Sequence, residues 1–423
     1  MSTYSLTLRE SLDRKLTIQE LDNNWLYLQD LASQSGGGSV NIDDTQIGFG
    51  STSGLTSSSQ FIFDSVNNNL ILGLSHSITG TTSYSIILGG GQNTFYNNDL
   101  IVGPYDIKSY SAIIGGFVNE ISNQSAGSII GGGTNNKIDY FSPLSIIIGG
   151  RGNRLYYSTG SSIIGGYTNC ICDSSCSSII GGGCNRLKYN STYSSIIGGC
   201  CNTLCDNSNH SSIIGGYYNT LFNDSRYSSI IGGRCNTLSN SYLSSIIGGQ
   251  NNTLTGTSSN SSIIGGECNT LSCNSSYSSI IGGFCNTLSC YSYNSSIIGG
   301  QCNTIATQSS QSSIIGGRYN TLSNNSYSSI IIGGCCNIIG SSSTSATIMG
   351  GYCNTLCNNS FNSSIIGGNN LTLNNKPNTV LVPNLHIAGS FSTDCGNSFG
   401  VNGSFTAGAN TITVCNGVIV SIT

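Results

Sequence analysis

The chain has 423 residues, of which 7% are charged against about a quarter in ordinary domains, and its formal net charge is -4. So little charge excludes electrostatic binding of nucleic acid or of an anionic membrane surface, and a 37% hydrophobic content excludes a disordered polar chain. There is no apolar run of 18 residues, so no membrane insertion is expected, and the first residues, MSTYSLTLRESLDRKL, lack the apolar core of a secretion signal.

In chain order, the first predicted element is a helix over residues 17–32. Thr17 and Glu20 have capping-box spacing, and Ile18, Leu21, Trp25, Leu28 and Ala32 follow at alternating steps of three and four, an a/d seam. Gly36 to Gly38 stop it. A helix this short is marginal alone, so residues 1–35 read as an anchoring or self-associating segment. A single amphipathic helix folded back on the body is the alternative. Residues 36–84 read as a β cap or linker, in which SQFIFDSVNNNLILG forms a hairpin around Asn67 to Asn69.

Residues 85–370 repeat. A Gly-Gly pair recurs seventeen times from Gly89 to Gly367, the third copy starting at Gly131. After one long first step the interval is 16 to 18 residues, and from Gly248 onward it is always 17. An asparagine stands three places after the second glycine in every copy but the last, where Leu371 takes its place. The unit is Ser-Ser-Ile-Ile-Gly-Gly-x-x-Asn-Thr-Leu followed by about six variable polar residues. That period is too short for a helix pair. Ser-Ser-Ile-Ile and Asn-Thr-Leu read as short strands, and the glycines and polar residues as turns, which predicts a parallel β-solenoid rod with coils about 4.8 Å apart.

Because side chains alternate along a strand, one isoleucine of each coil points inward with the leucine and the other points outward. Ile263 or Ile264, Ile280 or Ile281, and Ile297 or Ile298 would then form an apolar stripe that needs a partner surface. Asn269, Asn286, Asn303 and Asn320 are read as a structural ladder of amides bonded to one another and to the turns. After Gly368 the repeat fails. Residues 371–423 are read as a small C-terminal β domain or tip, with NTITVCNGVIVSIT a hairpin turning at Asn416-Gly417.

Two stretches carry a resemblance. The repeat SSIIGGxxNTL, over residues 85–370, resembles the SIAIG coils in head domains of trimeric autotransporter adhesins, and is closer still to VVGGxxNTA repeats of phage and viral fibre proteins. LTIQELDNNWLYL is similar to the LTxxExDxNFxxL segment near the N-termini of many phage tail and fibre proteins. The resemblance implies a homotrimer of parallel left-handed β-rolls with the isoleucine stripe at its axis; chain number and handedness rest on it alone. It also implies a short trimeric coiled coil, a virion or tail structural protein as partner at the N-terminal end, and contact with a cell-surface glycan or protein. With neither a secretion signal nor a membrane barrel, the expected setting is a virion surface or tail, made in the host cytoplasm and extracellular after release. The function so implied is a non-enzymatic fibre for attachment. A structural filament or virion decoration, joined head to tail, is the alternative. The receptor-binding residues are not legible.

The chemistry-bearing residues are few except for cysteine. Eight of nineteen cysteines share one column, two places after the second glycine: Cys184, Cys201, Cys235, Cys268, Cys285, Cys302, Cys336 and Cys353. They are read as small buried fillers, with disulfides formed after release or metal ligation as alternatives. Cys170, Cys172 and Cys176 come nearest to a metal cluster but lack a fourth ligand, and no metal or cofactor is expected. Eight acids in the repeat are scattered, as are His76, His210 and His386, so neither a carboxylate pair nor a Ser-His-Asp grouping is legible and no enzyme is expected.

Overall fold

The computed structural model describes residues 46–51, 54–64, 69–80, 84–97, 110–383, 403–407, 410–415 and 418–422. The helix expected over 17–32, with Ile18, Leu21, Trp25 and Leu28, lies outside them. No helix occurs among the described residues. The chain divides into two units, one ending at Leu381 and one beginning at Val382.

The first unit is a parallel β-solenoid, the fold that the 17-residue period predicts. One coil shows the plan. Ser262–Ile264 forms a strand, Gly265-Gly266 turns the chain, Glu267 bridges to Gln250 and Phe284 on the neighbouring coils, and Thr270–Leu271 forms a second strand. Two polar turns bring the chain to the next coil. Each strand pairs with its equivalent one coil on, like opposite like. Ser262, Ile263 and Ile264 face Ser279, Ile280 and Ile281, and Thr270 and Leu271 face Thr287 and Leu288. About 17 such coils run from the strand Ile86–Gly91 to Ser364–Ile366. Each strand has pairing neighbours on both sides, which suits β-branched Ile and Thr.

The core is a double column. Ile263, Ile280 and Ile297, with Leu271 and Leu288, have no exposed surface. Each such side chain contributes about 1.5–3 kcal/mol by leaving water. Two aliphatic residues per coil make a narrow interior, and buried polar ladders fill the rest of the cross-section.

Closing a coil this tight needs left-handed backbone. In the coil above, Gly265 has φ 69° and Gly266 φ 78°, followed by Cys268, Cys273, Asn274 and Tyr277 at 54–60°. The two glycines differ in what surrounds them. A Cβ on Gly265 would meet open space, whereas one on Gly266 would strike the Asn269 amide and the Gly283 carbonyl oxygen. In the third copy the turn is made by Gly132 and Gly133, not by Gly131. The strand there, Ile129–Ile130, ends one residue before the first of the three glycines, and Asn136 takes the ladder position.

The solenoid begins with the strand Asn69–Leu74, which pairs in parallel with Ile86–Gly91. On its other side Asn69–Leu74 pairs antiparallel with Gly54–Asp64, which in turn pairs antiparallel with Gln46–Ser51. The second unit contains a three-stranded antiparallel sheet of Gly403–Ala407, Asn410–Cys415 and Val418–Ile422.

Candidate functional site

The outward face of the Ser-Ile-Ile strands is the most regular surface. Ile264 is 40% exposed, and Ile281 and Ile298 are 41%. Ile197, Ile214, Ile231, Ile247, Ile315, Met349 and Ile366 continue the same row. At 263–264, 280–281 and 297–298 the first isoleucine lies inside and the second outside, which the sequence left open; at Ile129–Ile130 the order is reversed. Stacked at coil spacing, these side chains make an apolar stripe with no charge in it that runs without a gap over fourteen coils from Ile148 to Ile366, Gly131 interrupting the row on the coil before.

The asparagine column is interior. Asn269, Asn286, Asn303 and Asn320 have no exposed surface. Their amides do not bond to one another. The Asn286 backbone N–H donates to Asn269 Oδ1 at 3.0 Å, and Asn269 Nδ2 donates to the Gly283 carbonyl at 3.2 Å. The same pair of bonds recurs between Asn286 and the next coil, through Asn303 N and the Gly300 carbonyl. The side chain therefore clamps the following coil's glycine turn, and none of these asparagines is in the left-handed region. His76 stands at the head of the column, its Nδ1 accepting from Asn93 N at 3.2 Å, and Leu371 N closes it on Asn354 Oδ1 at 3.0 Å.

Two buried serine ladders run beside it, and the sequence reading missed both. Ser261 Oγ accepts from Ser278 N at 3.1 Å and donates to the Ser275 carbonyl at 3.1 Å. Ser275 Oγ accepts from Ser292 N at 3.3 Å and donates to the Ser289 carbonyl at 2.6 Å. The signal was present: a serine recurs three places before the Ser-Ser of nearly every copy, inside the stretch taken as variable. Ala346 breaks the first ladder, and on the same coil the buried Ser343 Oγ has no hydrogen-bond partner.

The return turns carry the variable surface. Tyr193, His210 and Tyr227 stack on successive coils with centroids 5.0 and 4.9 Å apart, and Tyr227 meets Tyr242 edge-on. Beside them a shallow groove is lined by Asp206, Asn207, Asn223, Asp224 and Asn240. Asp224 is held by Arg226 at 2.8 Å.

The cysteine column is half-exposed, not buried. Left-handed backbone at Cys268, Cys285 and Cys302, with φ of 56°, 52° and 52°, places these residues on the turn outside the double column. Where two cysteines are consecutive, Cys200 with Cys201 and Cys335 with Cys336, the sulfurs lie 3.2 Å apart. Among the described residues Cys172 and Cys205 are the buried thiols. Burial, with the Asp206 carboxylate beside it, pushes Cys205 up to about 12, and burial with neighbouring Cys172 pushes Cys170 up to about 11. Such thiols are poor nucleophiles at neutral pH. Among the described residues no group of three His, Cys, Asp or Glu side chains is arranged to hold a metal ion.

No family model matches the chain, and no curated protein sequence matches it.

Proposed function

We propose that this chain is a non-enzymatic viral or phage fibre protein, assembled as a homotrimeric left-handed β-roll rod that attaches a particle to a host or surface. The observation that supports this most directly is the outward apolar stripe, isoleucine at nearly every coil. An apolar row continuous over fourteen coils, from Ile148 to Ile366, would drive indiscriminate association if it stayed open to water. Burial against the same row of identical chains removes it, because identical spacing on each chain lets the side chains mesh along the whole length. The rod is about 80 Å long by coil spacing, which is a useful reach for a fibre. The helix over 17–32 acts as the coiled-coil anchor to a virion or tail structural protein, and residues 371–423 or the tyrosine-rich turns meet a cell-surface glycan or protein. Three copies of a weak contact add by avidity.

The test is assembly state. Ile281→Asp with Ile298→Asp places charges on the stripe while leaving the core columns intact. Sedimentation should show a trimer in the parent and folded monomers in the double variant. A parent that sediments as a stable monomer overturns the proposal. Ile280→Asp is the contrasting control: it buries an unpaired charge inside a coil and should unfold the rod instead of separating it. Electron micrographs of native material distinguish single projecting rods from head-to-tail filaments.

A further inference from the structure

The cysteine column has no explanation in packing or in backbone preference. Its members are half-exposed, so they fill no interior space. Their left-handed φ is one that Asn adopts more readily than Cys, and Asn135, Asn251 and Asn370 do occupy the same position on other coils. What most of these cysteines share is a cysteine on the next coil. Cys268, Cys285 and Cys302 follow one another without a gap, and the Cys285 N–H bonds to Glu267 O at 2.9 Å, as Cys302 N does to Phe284 O at 2.8 Å. Consecutive positions are therefore held at coil spacing, about 4.8 Å between Cα atoms, inside the disulfide window of about 4.4–6.8 Å. Cys336 and Cys353 are likewise on adjacent coils, the Cys353 N–H bonding to Cys335 O at 2.9 Å. A second column on the return turn places Cys273 and Cys290 on adjacent coils, the Tyr291 N–H bonding to Cys273 O at 2.9 Å. Cys235 is the exception, with Tyr218 before it and Asn251 after it in the column.

We infer that these stacked cysteines are modification sites at which adjacent coils become linked by disulfides when the protein meets a small-molecule disulfide such as oxidised glutathione. The Cys285 thiolate attacks one glutathione sulfur, and the S–S bond breaks to release one glutathione thiolate. The Cys268 thiolate then attacks the Cys285 sulfur of the mixed disulfide and expels the second glutathione. Two cysteine thiols are oxidised, one glutathione disulfide is reduced to two glutathione thiols, and both protons end on those thiols. Burial and the neighbouring Cys268 raise the Cys285 thiol, so linkage quickens as pH rises. Only one link can form among Cys268, Cys285 and Cys302, which leaves one of the three free.

The experiment uses the full chain, reduced and then exposed to oxidised glutathione at pH 8, with peptide mapping under non-reducing conditions. Peptides joined through Cys184–Cys201, Cys268–Cys285 or Cys285–Cys302, Cys336–Cys353 and Cys273–Cys290 are expected, with Cys235 unlinked. Cys285→Asn, a residue the column already accepts at Asn251, should abolish linkage among the first three and leave Cys273–Cys290 intact. The inference is overturned if these positions carry only bound glutathione, if they stay free, or if links join coils that are not adjacent.

Discussion

At the scale of single residues, the two glycines of one turn predict different outcomes from the same substitution. Gly265→Ala adds a methyl group to open space, so its cost is left-handed strain alone, about 1 kcal/mol. Gly266→Ala drives a Cβ into the next coil's backbone, with the Gly282 carbonyl carbon 2.9 Å away, and must force the adjacent coils apart. Denaturant titration should show a small loss for the first and failure to form a continuous rod for the second. A stabilising change is available at Ala346, where a hydroxyl would restore the serine ladder at a buried position. Ala346→Ser should gain about 1 kcal/mol, the net worth of one hydrogen bond, in the same titration. The sequence spoke unevenly at this scale. Glycine and asparagine were legible because their recurrence is strict. Ser258, Ser275 and Ser292 were not, since serine is also what an exposed turn would hold. The cysteines misled because a small sulfur-bearing residue suits a core, and the positive φ that puts Cys268 on the surface leaves no mark in the residue type.

At the scale of an element, the start of the asparagine ladder is sensitive to acid. His76 sits where other coils have Asn, and its Nδ1 can accept from Asn93 N only when the ring is neutral. Burial pulls this imidazole below its ordinary value, although hydrogen bonds involving Leu72 and Asn93 pull the other way. The folded state thus favours the neutral form. Its contribution is complete above the unfolded value, near 6.5, and is lost as pH falls through the lowered folded value. Amide protection factors for residues 77–97 should drop between pH 7 and pH 5. His76→Asn should remove that drop, and equal protection at both pH values in the parent would refute the link. The strands were legible as Ser-Ile-Ile and Asn-Thr-Leu because their periodicity is set by the 17-residue repeat. Which isoleucine faces inward was not, since two adjacent identical residues satisfy alternation either way and only the position of the turn decides.

At the scale of the whole molecule, equal register makes length a variable in units of one coil. Deleting residues 265–281, one repeat of 17, should shorten the rod by about 4.8 Å and leave every remaining ladder in register. The ladders also have a sense. Asn269 reaches for Asn286 and Gly283, Ser261 for Ser278 and Ser275, and Ser275 for Ser292 and Ser289. Between coils, each of these buried side chains bonds to the coil that follows, not to the one before. A finished coil thus offers a surface already set with acceptors and donors, while the coil to come supplies only backbone, which any chain possesses. Synthesis proceeds in that same direction, so each segment leaving the ribosome meets a completed template and can settle without waiting for the residues behind it.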